Sequence, residues 1–472
     1  MSNILKGSVI ALDIKTMGIN GEGIGYYNKL AVFVKGAIQK EKIYAKIEEV
    51  HDKYLVASID SFIEKSNRRV EPFCKYYEQC GACNMQHIKM NEQLKIKRQI
   101  LINSLKRYTP KLDLDNTKIE LTTPSPEIAY RNKSQLPFRD TNFGLALGLY
   151  QENTNKFVYI DECPIQNALV NKINTKTLSI LSKYKQCTPK NGGILKYLCV
   201  RGLEESKEAQ VTFIVTEYRP VLKEIAQELY DAFDEIKSVA YSIQDKNNVS
   251  IFGNTTEVLV GRNYIHDYCL GLKVSLSPSA FYQLNKKSSE NAFSEIVSGD
   301  IKETDIVFDG YSGIGVLGLI LAKRAKHVYS VDINSDSIKN ARIIARENEI
   351  SNITFYSDRI ENRFPRLVEE GIKPDIVILD PPRSGLDDKV INALNKIDAK
   401  KIYYISCNTS TLAKNLNKLL DNYKVEVIHP YDFFTETAHV EVIAVLNLSW
   451  FNKYIKTIMI ASILYWLFLS II

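Results

Sequence analysis

The chain begins without a secretory leader: in "MSNILKGSVIALDIK" a lysine and an aspartate interrupt any apolar stretch. A reducing, cytoplasmic setting is expected, in which eight cysteines serve as thiols or metal ligands rather than as disulfides. A strong excess of either charge is also missing. The 61 Lys+Arg against 55 Asp+Glu leave +6, which admits a polyanionic partner without demanding one. A long apolar run is absent until the very end. There, "TIMIASILYWLFLSII" (457–472) is uncharged but only sixteen residues long, short of the roughly 20 that cross a bilayer. Starting at Tyr454, with Lys456 snorkelling, it comes closer to that length. Lys453 and Lys456 stand on the side that would face the cytoplasm. A tail anchor, a packed helix and an aberrant extension of the reading frame are the readings this leaves. A membrane partner is expected only on the first.

What is present reads as an ordinary globular protein, 45 % hydrophobic and 25 % charged. A length of 472 residues is long for one core and implies two or three domains. Residues 1–62 alternate short apolar runs with glycine turns, such as "GSVIALDI" and "KIYAKIEEV". Five period-two runs at this spacing predict a small antiparallel β-barrel. Residues 63–280 open on the loop "RRVEPFCKYYEQCGACNMQH" and the basic helix "NEQLKIKRQILINSLKRY". They continue as mixed strand and helix, a central α+β domain. From 281 to 449 the pattern becomes strand, glycine loop, helix, repeated, which predicts a doubly wound α/β domain on a parallel sheet. Its last two strands, in "KVEVIHPYDFFTETAHVEVIAVLNL", suit an antiparallel edge. The apolar tail, 450–472, stands apart.

"DGYSGIGVLG" carries Gly313, Gly315 and Gly318 between the strand "DIVF" and a helix. Such glycines allow a tight turn and let backbone approach a ligand at the helix N-terminus. Asp332, ending "HVYSVD", lies where an acid bonds ribose hydroxyls. By itself this suits NAD, FAD or S-adenosylmethionine. Asp309 would repel a pyrophosphate but suits an ammonium group. Asp380-Pro381-Pro382 follows another strand on the carboxyl edge, where a proline-stiffened loop can present carbonyls to a planar substrate. The methyl donor is the expected ligand.

"DGYSGIG", "DPPRSG", "ISCN" and "HVEVI", in that order, with "SPSAFYQLN" (277–285) and "YRNK" (130–133), make the chain resemble the RNA uracil-5-methyltransferases. These modify bacterial ribosomal and transfer RNA. The resemblance runs from residue 1 to about 448 and omits the tail. It implies a Rossmann-like class I methyltransferase domain, an N-terminal OB-like TRAM barrel that binds RNA, and S-adenosylmethionine held by Gln283, Tyr311, Asp332 and Asp380. Members acting on large-subunit ribosomal RNA carry both the TRAM domain and cluster cysteines, so 23S rRNA is the expected partner, and a monomer the expected state.

The reaction explains two further residues. C5 of uracil is a poor nucleophile until a thiolate adds to C6 and makes an enolate. A thiol of pKa about 8.5 must first lose its proton. Cys407, at the end of "YYIS" on the same sheet edge as Asp380, is the natural nucleophile. A base must then take the C5 proton so that the thiolate can leave; the resemblance assigns this to Glu441. Phe281 either stacks on the flipped base or fills core.

Cys74, Cys80 and Cys83 cluster too tightly for chance packing. Structural zinc usually uses two close cysteine pairs, and Cys163, followed by proline, is the best distant fourth ligand. Spacing alone leaves zinc and an iron–sulfur cluster both open. The resemblance implies a 4Fe-4S cluster on Cys74, Cys80, Cys83 and Cys163. Cys187, Cys199 and Cys269 match no motif. From Lys89 to Lys111 seven basic residues stand against one acid, Glu92, either an RNA grip or a solvated face. Two other functions compete: an N-methyltransferase, since Asp-Pro-Pro loops serve those enzymes without a thiol, and a noncatalytic cluster-bearing RNA binder, against which the cofactor loop argues.

Overall fold

The computed structural model describes residues 4–152, 154–244 and 250–449. The tail, with its three readings, lies outside the described residues. Among those described, no helix is long and apolar enough to cross a membrane.

Near the N-terminus six strands form one curled sheet in the order Val9–Asp13, Lys42–Val50, Tyr54–Glu64, Leu30–Val34, Gly23–Tyr27, Thr16–Met17. Period-two burial in Lys42–Val50 turns Ile43, Ala45 and Ile47 inward. All pairings are antiparallel except Leu30–Val34 with Tyr54–Glu64, which is parallel. The curl brings Val9–Asp13 onto Gly23–Tyr27. A Cβ on Gly25 would lie 2.7 Å from both the Asp13 carbonyl oxygen and Leu12 Cγ, so only glycine fits there.

The helix Met90–Tyr108 buries Ile96, Ile100, Leu101 and Leu105 on one face, the helical spacing of a core-facing stripe. It packs on the helix Thr409–Leu419, with Ser104 Oγ 2.8 Å from Thr409 Oγ1. Part of its basic character is spent on structure. Lys97 is fully buried against Asp432, Arg98 donates to the carbonyls of Ile119 and Glu120, and Lys95 pairs with Glu92. Lys89, Lys95, Lys106, Arg107 and Lys111 are exposed. A second seven-stranded sheet, from Lys133–Thr141 to Thr255–Gly261, is backed by the helices Ala168–Leu181 and Val221–Asp231.

The third sheet carries the site. Its strands are β1 (Ile306–Gly310), β2 (His327–Asp332), β3 (Ile353–Ser357), β4 (Ile376–Leu379), β5 (Lys401–Ser406), β6 (Tyr423–Tyr431) and β7 (Glu441–Leu448). Their order is β3-β2-β1-β4-β5-β7-β6. The first five are parallel, and strands such as β4 are buried along their whole length, as helix-covered parallel sheets require. β7 runs antiparallel between β5 and β6. The closing pair forms the expected antiparallel edge: β6 is outermost, and β7, with its core-facing Val442, Ala444 and Leu446, lies between it and β5.

Replacing Gly25 by alanine should destabilise the barrel by about 1–3 kcal/mol. Hydrogen exchange should then quicken in Val9–Asp13 and Gly23–Tyr27 but not in β1–β7. Unchanged exchange would mean that the two strands do not approach as described.

Candidate active site

The carboxyl ends of β1 and β4 flank the point where strand order reverses, the usual ligand crevice of an open α/β sheet. A cavity of about 1000 Å³ opens there. It gathers Gln283, Tyr311, Asp332, Asp380, Cys407 and Glu441, residues spread over 159 positions of the chain. Phe281, 61 % exposed, stands in its wall as well, so it is not a core residue.

Each glycine of the loop has its own reason. Gly313 and Gly315 adopt φ of +56° and +76°, the left-handed region open to glycine. Gly318 has no room: a Cβ would lie 2.5 Å from Asp309 Oδ2. That oxygen accepts the Gly318 amide at 3.1 Å. Asp309 is thus buried beneath the loop and braces it, where an ammonium partner was expected. Burial, partly offset by that amide, pushes its carboxyl up to about 7. Asp332 Oδ2 accepts the Gly313 amide at 2.8 Å and Oδ1 that of Asn334 at 2.7 Å. The carboxylate steadies the glycine loop and retains further acceptor lone pairs. Tyr311 holds φ +62°, a strained conformation for an aromatic residue that the packing around it enforces.

Gln283 is placed from the central sheet. Asn132 of "YRNK" donates from Nδ2 to the Gln283 carbonyl at 2.9 Å and from its backbone N–H to that of Leu284 at 3.0 Å. Two motifs 150 residues apart are thereby one structural unit.

Strand register joins the remaining pair. Ser406, the last residue of β5, pairs with Val442 of β7, so the residues just beyond, Cys407 and Glu441, meet at the sheet edge. Cys407 also precedes Asn408, the N-cap of Thr409–Leu419, whose Oδ1 accepts the amides of Ser410 and Thr411. Asn408 Nδ2 and Thr411 Oγ1 both donate to the Arg383 carbonyl, at 3.1 and 3.2 Å. The Asp-Pro-Pro-Arg loop and the cysteine loop are locked together.

The electrostatics are dominated by crowding. Burial pushes Cys407 up to about 11, and the charges of Glu441 and Asp380 add to this. Asp380 is pushed up to about 6 by burial. Glu441 is raised well above the usual carboxylate range by burial and by Asp380. Arg383 opposes the rise at both Cys407 and Glu441, and the helix N-terminus beside Cys407 also favours a thiolate. Arg383, Ile333 and the pair Phe433–Phe434, all on the cavity wall, escaped the sequence reading. Arg383 was signalled only by its place after the two prolines.

The other cysteine set is separate. Cys74, Cys80, Cys83 and Cys163 are all partly exposed, whereas Cys187, Cys199 and Cys269 are buried. Lys75 and Tyr76 bond Asp161 at 2.7 and 2.6 Å, clasping the two cysteine loops together. Burial pushes Cys83 up to about 12, with the nearby Cys163, Cys80 and Cys74 adding to it. Among the described residues, no three Cys, His, Asp or Glu side chains are arranged to hold a metal ion. A second groove, of about 1320 Å³, lies between the barrel and the helix Met90–Tyr108. Tyr26, Phe33, Tyr54, Lys35, Lys65 and Arg107 line it.

Alkylation of Cys407 in the free protein should follow an acidity near 11. Glu441→Gln should move that midpoint downward, because removing an adjacent negative charge favours the thiolate. Mass analysis of the Cys407 peptide across pH reads both; an unmoved midpoint would contradict the proximity of the two groups.

Comparison with known proteins agrees with this architecture. A family model for tRNA (uracil-5-)-methyltransferase matches residues 89–448, and one for the TRAM domain matches 5–59. Uncharacterized RNA methyltransferases of Listeria innocua and Streptococcus agalactiae are each 35 % identical over 449 residues, covering 94 % of this chain and 98 % and 99 % of theirs. The solved structure of Pyrococcus abyssi tRNA (uracil-54, C5)-methyltransferase in complex with S-adenosyl-L-homocysteine shares the fold. It has a TM-score of 0.72 at 24 % identity, over 93 % of this chain and 100 % of that one. With a TRAM domain ahead of a class I methyltransferase fold, and relatives named as RNA methyltransferases, the chain belongs to the tRNA (uracil-5-)-methyltransferase family.

Proposed function

We propose that this cytoplasmic enzyme transfers a methyl group from S-adenosylmethionine to C5 of a uridine in RNA, most specifically 23S rRNA, through a covalent adduct on Cys407. The observation that carries the reading is the meeting of Cys407 and Glu441, by strand register, at the rim of the glycine-loop cavity.

Gln283, Tyr311, Asp332 and Asp380 are the residues that would hold the methyl donor, with Asp332 on its ribose. The donor supplies an electrophilic methyl and, as a sulfonium, a positive charge in a pocket rich in carboxylates. Cys407 Sγ adds to C6 of the uracil, forming the S–C6 bond and pushing electrons to C5 and O4. C5 would then take the methyl as the donor's S–CH3 bond breaks and S-adenosyl-L-homocysteine leaves as a neutral thioether; with C5 bearing both methyl and hydrogen, Glu441 removes the proton. The S–C6 bond then breaks and the ring regains its double bond. The resting acidity sets a condition on both groups: Cys407 must lose its proton and Glu441 must be ionised when its turn comes. Arg383 and the helix N-terminus are the chain's own means to that end. A duplex-buried uridine must be flipped to reach Sγ, and Phe281 in the cavity wall offers it a stacking face.

The groove beside the barrel supports RNA binding, since aromatic faces with interspersed cations suit single strands. The choice of 23S rRNA rests on the joint presence of the TRAM domain and the four cysteines. A transfer RNA is the second reading, favoured by the family's description and by the Pyrococcus protein of the same fold.

The 4Fe-4S cluster is part of the proposal. Its support is a set of four partly exposed thiols on two clasped loops, close enough to raise one another. The group would tie residue 163 to the 74–83 loop. Anaerobically purified protein should contain about four iron and four sulfide per chain, and Cys163→Ser should lose most of both. Stoichiometric zinc without sulfide would overturn the assignment.

Mass mapping of 23S rRNA and tRNA from a strain lacking the protein, beside its parent, tests the function. One 5-methyluridine should vanish from 23S rRNA. Loss from tRNA instead would select the second substrate, and loss of an N-methyl mark would refute the reaction. Cys407→Ala should fail to restore the mark, with activity down by at least about 10³-fold, while still binding the donor.

A further inference from the structure

Part of the cavity wall is the connection between β6 and β7, residues 432–440, which carries Phe433 and Phe434 and delivers Glu441. This connection is held from outside its own sheet. The amides of Asn84 and Met85 both donate to the Glu436 carbonyl at 3.0 Å. Asn84 Oδ1 accepts the Ala438 amide at 2.9 Å. Gln93 Nε2 donates to Glu436 Oε2 at 2.9 Å. Lys97 Nζ pairs with Asp432 and donates to the Phe434 carbonyl at 3.1 Å. Glu436 itself sits at φ +69°, a conformation a glutamate keeps only where its surroundings over-determine it. The surroundings that do so are these residues, some 340 positions earlier in the chain.

We propose that Asn84, Gln93 and Lys97 are positioning residues for Glu441: by holding 432–440 they set where the base stands over the reacting carbon. The inference rests on the reading of Glu441 as the base. It follows because a base acts only within hydrogen-bond reach of the proton it takes, and Glu441 is three residues beyond the last of these tethers, at Ala438. Loosening the tethers should therefore slow the elimination and leave RNA recognition alone. The methylated, Cys407-bound RNA would accumulate, a readout that mere loss of folded protein cannot produce.

The test uses the full chain with RNA from a strain lacking the protein, which carries the unmodified uridine. Initial rates and covalent adduct on denaturing gels are measured for the parent and four variants. Glu441→Gln should trap the adduct. Asn84→Ala should lower kcat by about tenfold with KM for RNA within about twofold, and should show adduct. Asn84→Asp keeps an acceptor for the Ala438 amide but loses the donor to the Asn20 carbonyl, and should recover part of the rate. Gln93→Met should behave like Asn84→Ala. Parent-like turnover in Asn84→Ala and Gln93→Met, a fall in rate without adduct, or no recovery in Asn84→Asp would each overturn the positioning role. If Glu441→Gln itself traps no adduct, the assignment of the base fails instead.

Discussion

The antiparallel insertion of β7 between β5 and β6 is the constraint on which the site depends. It turns two segments that would otherwise leave the sheet at opposite edges into neighbours at one edge. The pairing of Ser406 with Val442 then leaves Cys407 and Glu441 side by side. Because side chains alternate with period two, a one-residue slip would send Glu441 to the other face and separate the pair. The buried run of β7, the Lys97–Asp432 pair and the tethers on Glu436 all oppose such a slip.

The same proximity has an electrostatic cost. Three carboxylates, Asp309, Asp380 and Glu441, are raised by burial in and under one cavity, and the thiol beside them is raised too. A free enzyme with a protonated thiol is protected from oxidation and stray alkylation, since the thiolate is the reactive form. Arg383, fastened to the cysteine loop through Asn408 and Thr411, is the compensating charge. A cationic ligand in the pocket would favour ionisation of every acid around it.

How much of this was legible in the sequence differs by kind of residue. The doubly wound domain was readable because β1, β2, β4 and β5 are apolar runs that stop at polar loops, and the loops carry the chemistry. The barrel was readable from period-two alternation, although the parallel pairing of its Leu30–Val34 strand was not. The closing strands were readable as an antiparallel edge, but not which of them lies outermost, since either of two successive strands can take that position. In the basic segment 89–111 charge is visible in sequence and direction is not: Lys97 points into the core, while Lys89, Lys95, Lys106, Arg107 and Lys111 stay exposed. Asp309 was seen as a polar group for a ligand, but the missing Cβ of Gly318 draws it to the helix amide instead. Asn84 and Glu436 show the limit most plainly, because nothing local in either segment announces the other.

The central claim, that methyl transfer occurs at C5 through addition of Cys407 to C6, is tested most directly with RNA tritiated at C5 of uridine. The account predicts one tritium released to water for each methyl group incorporated, and no release with Cys407→Ala. Methyl incorporation without tritium release would place the methyl elsewhere on the base and contradict it.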